Sequence, residues 1–117
     1  MIKKQFILNF LIIFLIFFLD RISKVYILNI AEIEGIVDLK INSFLNIILV
    51  WNSGIGFGLF QFDKATAYNL ITIIILLVNL IIIYLLFKSE NFHKIFFSMI
   101  LGGSFGNLFD RFYYSAV

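Results

Sequence analysis

Between Lys64 and Lys88 the chain runs for 23 residues, Ala65 to Phe87, without one charged side chain. At about 1.5 Å per residue a helix of that length crosses a hydrocarbon core of about 30 Å with some tilt. Its apolar residues follow neither a 3.6-residue nor a two-residue period, as expected where lipid surrounds most of a helix. Composition supports a membrane setting. Of 117 residues, 62% are hydrophobic and 14% charged, with a mean hydropathy of +1.07, against about 45–50% apolar and about 25% charged in soluble domains. So short a chain cannot enclose that excess in water, and disorder requires the reverse composition. The length allows one domain. A scattered formal charge of +2 argues against a nucleic-acid partner. The absence of cysteine excludes disulfides, thiolate metal sites and cysteine nucleophiles.

Two further apolar runs are interrupted. Gln5 to Leu19 follows Lys3-Lys4 and meets Asp20-Arg21; Ile95 to Phe109 follows Lys94 and meets Asp110-Arg111. Each resumes beyond the interruption, through Val25-Tyr26-Ile27-Leu28 and Phe112-Tyr113-Tyr114, so each is expected to continue as a helix with an Asp-Arg pair near its far end. The expected architecture is an all-α membrane protein, a single domain over 1–117. Its three spans are about 5–28, 65–87 and 95–113, with a loop at about 88–94. Lysines at 3, 4, 88 and 94 then put the N-terminus and that loop in the cytoplasm, and the segment of about 29–64 outside. Both Asp-Arg pairs fall near the outer face. Lys3-Lys4 and the following run also resemble a secretory signal, but the run is long and has no small-x-small cleavage site. The outer segment is expected to carry a small β-element: Asp38 to Asn42 alternates polar and apolar residues, and Asn46 to Trp51 is rich in Ile, Leu and Val. Trp51 is a candidate interfacial anchor.

Charged residues inside a span cost about 2.5–3.5 kcal/mol each on insertion scales and are functional candidates by default. Asp20 and Lys24, at i,i+4, can neutralise one another. Asn107 and Asp110, at i,i+3, share one side of their helix, which points into a bundle rather than at lipid. Gly102 and Gly106 have the G-x-x-x-G spacing that lets another helix approach. Arg111 alone would read as a side chain snorkelling toward headgroups. Asn52 before Ser53-Gly54 has the composition of a turn. His93 lies on the opposite side from these groups, so no Ser-His-Asp set can form. Gly54-x-Gly56 lacks the remaining features of a dinucleotide-binding loop.

Three segments together resemble lipoprotein signal peptidases (signal peptidase II). Phe18-Leu19-Asp20-Arg21-Ile22-Ser23-Lys24 resembles that family's D-x-x-[ST]-K pattern. Trp51-Asn52-Ser53-Gly54-Ile55-Gly56-Phe57-Gly58 resembles its N-x-G-x-x-F-G segment. Gly102 to Arg111, reading G-G-S-F-G-N-L-F-D-R, resembles its G-G-x-x-G-N-L-x-D-R motif. The resemblance implies four transmembrane helices, an extracytoplasmic β-cradle and a bacterial plasma-membrane enzyme. Such an enzyme cuts signal peptides from diacylglyceryl-modified prolipoproteins. Two aspartates at the outer face act as base and acid on the attacking water, their proton affinities separated by proximity. No metal or organic cofactor is implied, and the implied partners are prolipoprotein substrates and membrane lipids, with a monomeric enzyme.

By the same resemblance the catalytic aspartates are neither Asp20 nor Asp110. The first is expected just after Val117, and Ser115 stands where the family has glycine. The resemblance therefore gives Asp20, Lys24, Asn52, Gly54, Asn107, Asp110 and Arg111 substrate-binding or dyad-supporting roles, and a chain ending at Val117 is expected to be an incomplete or inactive peptidase. Two other readings stay open. One is a non-enzymatic membrane protein that binds a lipid or partner helix through the polar cluster. The other uses Asp20 and Asp110 themselves as a carboxylate pair, which requires an approach to about 5–9 Å.

Overall fold

The computed structural model describes residues 2–53 and 65–117. Helix α1 spans Ile2–Glu34, strands β1 and β2 span Asp38–Lys40 and Asn46–Ile48, and helices α2 and α3 span Ala65–Lys88 and Asn91–Tyr114. Two helices, over Lys3–Glu34 and Thr66–Lys88, are long and apolar enough to cross a membrane. Helix α3 matches α2 in length at 24 residues, but its lysine, aspartate, arginine and glycines make it less apolar.

Helix α1 continues beyond the expected membrane span of about 5–28, to Glu34. No glycine or proline occurs before Gly35, and Ile30-Ala31-Glu32-Ile33-Glu34 propagates the helix readily. Gly35 ends it, adopting φ 77° while its N–H donates to the Ala31 carbonyl at 2.9 Å. At 33 residues the helix is about 50 Å long, so its last turns extend beyond a hydrocarbon core of about 30 Å.

The strands after it are short and antiparallel, with Asp38 opposite Ile48, Leu39 opposite Ile47 and Lys40 opposite Asn46. The Asn42 carboxamide oxygen closes the turn by accepting from the N–H groups of Phe44 and Leu45, both at 2.8 Å. Only Ser89-Glu90 separates α2 from α3, so these helices are antiparallel neighbours.

Helix α3 occupies the centre. It packs against α1 and α2, which make no contact with each other among the described residues. Burial is inverted relative to a soluble protein. Phe6, Phe10, Phe14, Phe18, Leu77 and Leu80 are exposed, while Asn9, Thr72, Asn79, Ser98, Asp110 and Arg111 are buried. Apolar side chains face outward because lipid is their solvent, and polar ones face inward, where Thr72 and Ser98 donate to backbone carbonyls one turn back.

Candidate functional site

Helices α1 and α3 run parallel along matched stripes. Ile16 meets Gly102, Asp20 meets Gly106, and Lys24 meets Asp110, each pair separated by 86 residues. In sequence, Lys4 to Asp20 and Lys94 to Asp110 repeat one sixteen-residue layout. The packing is displaced by one turn from that repeat. The two aspartates are therefore staggered, and a cation fits between them.

Glycine permits the close approach. A Cβ on Gly102 would lie 2.7 Å from Ile16 Cβ and 2.8 Å from the Ile13 carbonyl oxygen, and one on Gly106 would run into the Asp20 carboxylate. Gly103 has open space at the same position. The G-x-x-x-G pair is thus the element that seats α1.

Four charges meet above those glycines. The Arg21 Nη2 lies 2.8 Å from Asp20 Oδ2 and 2.6 Å from Asp110 Oδ1. The Lys24 Nζ lies 2.9 Å from Asp20 Oδ1 and 2.5 Å from Asp110 Oδ2. It also donates to Asn107 Oδ1 at 2.9 Å. Asp110 is the most enclosed member, its side chain only 4% exposed against 29% for Lys24. Two cations and two carboxylates sum to zero formal charge, which compensates a group that would be expensive to insert unpaired. Arg21 additionally lies over the Phe109 ring at 4.6 Å, and its Nη2 donates to the Gly106 carbonyl at 3.4 Å.

The structure thus brings together Asp20, Lys24, Asn107 and Asp110 from the sequence-derived set. It adds Arg21, which was not among the sequence candidates. The signal was present: Arg21 and Lys24 are i,i+3 and share a face. Arg111 does not snorkel. It is 5% exposed and lies over the Tyr68 ring at 5.1 Å, and the Tyr68 hydroxyl donates to its carbonyl at 3.1 Å. Tyr68 was not among the sequence candidates, and it ties α2 to the same end of α3.

Asn52 is drawn to this end by its backbone. Its N–H donates to the Val117 carbonyl at 2.7 Å, and the Val117 N–H donates back to the Asn52 carbonyl at 2.8 Å. Trp51 packs on Tyr114 with ring centroids 5.7 Å apart. Beside the charges is a cavity of about 230 Å³, lined by Lys24, Asp110, Trp51, Tyr114, Ile27 and Ile48 among others. Gly54, with the glycines that follow it, lies outside the described residues.

Sharing two cations places Asp20 and Asp110 near one another, so distance alone does not dismiss them as a carboxylate pair. An acid–base pair of carboxylates needs one proton kept by mutual repulsion, whereas here each carboxylate faces both Arg21 and Lys24. Such a cluster can orient groups and hold helices together.

These features define a helical membrane protein with a compensated ionic cluster between two glycine-seated helices. Comparison with known proteins identifies its family. The family model for signal peptidase (SPase) II matches residues 12–117. The lipoprotein signal peptidase of Pelagibacter ubique (strain HTCC1062) is 49% identical over 114 residues, covering 97% of this chain and 69% of that protein. That of Wigglesworthia glossinidia brevipalpis is 39% identical over 112 residues, covering 92% and 69%. That of Rickettsia conorii (strain ATCC VR-613 / Malish 7) is 34% identical over 111 residues, covering 91% and 53%. No solved structure matches the chain. The chain belongs to the signal peptidase II family, a family of membrane proteases.

Proposed function

We propose that this chain serves prolipoprotein processing in the bacterial plasma membrane, as a lipoprotein signal peptidase of the aspartic type acting on diacylglyceryl-modified precursors. The observation that carries this reading is the ionic cluster: two of the three segments resembling signal peptidase II meet in it, and Trp51-Asn52 of the third lies beside it. In this reading α1, α2 and α3 all span the bilayer, with the N-terminus cytoplasmic and the hairpin and cluster at the extracytoplasmic face. Helix α3 qualifies because 24 residues reach about 36 Å and Asp110, deep in the bundle, is compensated.

Asp20 and Asp110 act here as supports. They hold Lys24 and Arg21 in place, Asn107 shares the Lys24 ammonium, and Arg111 braces α3 against α2. The cavity beside Lys24 and Asp110 has apolar and aromatic walls suited to an extended apolar peptide, with polar groups at one end to orient its backbone. In this reading Asn52, whose backbone pairs with Val117 beside that cavity, and Gly54 take part in substrate binding. The enzyme works as a monomer. Water activation falls to carboxylates other than these two, because both are occupied by cations.

The test is processing of a prolipoprotein, followed by its gel shift in cells depleted of their own enzyme. Joined to the remaining third of the Pelagibacter ubique relative, this chain is expected to restore cleavage. In that chimera Asp110→Asn is expected to slow cleavage on the order of 10²-fold, the scale of a misplaced substrate. A membrane-inserted chimera that never cuts would sink the reading.

A further inference from the structure

At the other end of the same helices α1, α2 and α3 together line a groove of about 600 Å³, within the range of about 300–1,000 Å³ typical of ligand sites. Its walls are apolar: Phe10 and Ile13 from α1, Ile83 and Leu86 from α2, Leu101 and Phe105 from α3. Its mouth is cationic, with Lys4 from α1 and Lys94 from α3 both lining it. Gln5 and Asn9 lie just inside, the Gln5 Nε2 donating to Asn9 Oδ1 at 3.0 Å. Among the described residues every ion pair sits at the opposite end of the bundle, and no carboxylate pairs with Lys4 or Lys94. Lys3 and Lys88 add to the positive charge at this end, where Glu90 is the one acidic residue in sequence reach.

We propose that this groove holds a membrane phospholipid with an anionic headgroup, its phosphate between Lys4 and Lys94 and one acyl chain along the apolar walls. The match is one of charge and shape together. A basic pocket between transmembrane helices attracts anionic headgroups, and lysine stems can follow apolar surface while their ammonium groups reach the headgroup layer. A zwitterionic lipid would fill the walls but add no net charge against the lysines. An apolar helix would fill the walls and leave both lysines without a counterion. The inference goes beyond the peptidase reading and does not depend on it, since binding is read without any cleavage.

The experiment places the purified chain in nanodiscs of phosphatidylcholine doped with phosphatidylglycerol carrying a photoreactive group on one acyl chain. Crosslinks are mapped by mass spectrometry. Labelling is expected on residues 4–13 and 83–105, and unlabelled phosphatidylglycerol should compete far better than phosphatidylcholine. Lys4→Gln and Lys94→Gln should each reduce that preference about fivefold, the scale of one lysine at an anionic surface. Ile83→Trp, which fills the groove and spares both lysines, should abolish labelling at these positions, with helicity by circular dichroism confirming the fold. Labelling indifferent to headgroup, or unaltered in all three folded variants, would overturn the proposal.

Discussion

At one end of the α1–α3 pair, Arg21 and Lys24 hold two carboxylates at 2.5–2.9 Å. At the other, Lys4 and Lys94 border an apolar groove with no carboxylate paired to either among the described residues. The same residue type thus appears in two electrostatic settings on the same two helices. The difference follows depth and enclosure. Asp110 is nearly sealed from solvent, so its charge must be matched inside the protein. Lys4 is exposed and stands near a helix start, where water and lipid headgroups can do the matching.

The comparison is tested most severely by removing one charge from each end. Asp110→Ala leaves Arg21 and Lys24 with a single carboxylate and is expected to cost about 3–5 kcal/mol, as for a broken buried pair. Lys94→Ala should change stability by no more than about 0.5 kcal/mol. Unfolding by dodecyl sulfate in bicelles, followed by circular dichroism, measures both. Removing Lys24 and Asp110 together, as Lys24→Met with Asp110→Leu, leaves Asp20 and Arg21 as a closed pair and should cost less than Asp110→Ala alone. Equal effects of the Asp110 and Lys94 substitutions would erase the distinction between the ends.

Much of this arrangement could be read from sequence, for identifiable reasons. The uncharged run Ala65 to Phe87 and the helix Ala65–Lys88 differ by one residue, because lysines mark the ends of an apolar run. Asn107 and Asp110 share a side because three residues nearly complete a turn. What sequence did not carry was the relative depth of the helices. The sixteen-residue layout repeated from Lys4 and Lys94 leads only to both Asp-Arg pairs near one face, while packing is decided by where Gly102 and Gly106 let α1 approach. That one-turn displacement puts Arg21 and Lys24 between the carboxylates. The expected span of about 5–28 followed the apolar run through Val25-Tyr26-Ile27-Leu28, and the helix itself runs on to Glu34 because no stop signal precedes Gly35.

The glycine stripe sharpens the comparison at intermediate cost. Gly106→Ala forces a methyl group into the Asp20 carboxylate, and the displaced side chain disturbs all four charges. A loss of about 1–3 kcal/mol is expected, as for overpacking. Gly103→Ala adds a methyl group where nothing lies within 4 Å and should stabilise α3 by about 0.5–1 kcal/mol through helix propensity. The same bicelle titration reads both. Two losses of similar size would mean that α1 does not seat on α3 through this stripe.

The smallest expected effect compares the two termini of α3. At the groove end, Glu90 caps the helix with ordinary extended backbone, φ −84° and ψ 165°. At the cluster end, Ser115 holds φ 60° and ψ 16°, the left-handed conformation that favours glycine. The resemblance to signal peptidase II leads one to expect glycine at that position, and the backbone angle gives the physical reason. A non-glycine residue there carries a strain of order 1 kcal/mol, partly offset because glycine loses more conformational freedom on folding. Ser115→Gly is therefore expected to stabilise the chain by about 0.5–1 kcal/mol, whereas Glu90→Gly relieves no such strain and should not stabilise. A destabilising Ser115→Gly would show that the serine side chain contributes more at this end than its backbone strain removes.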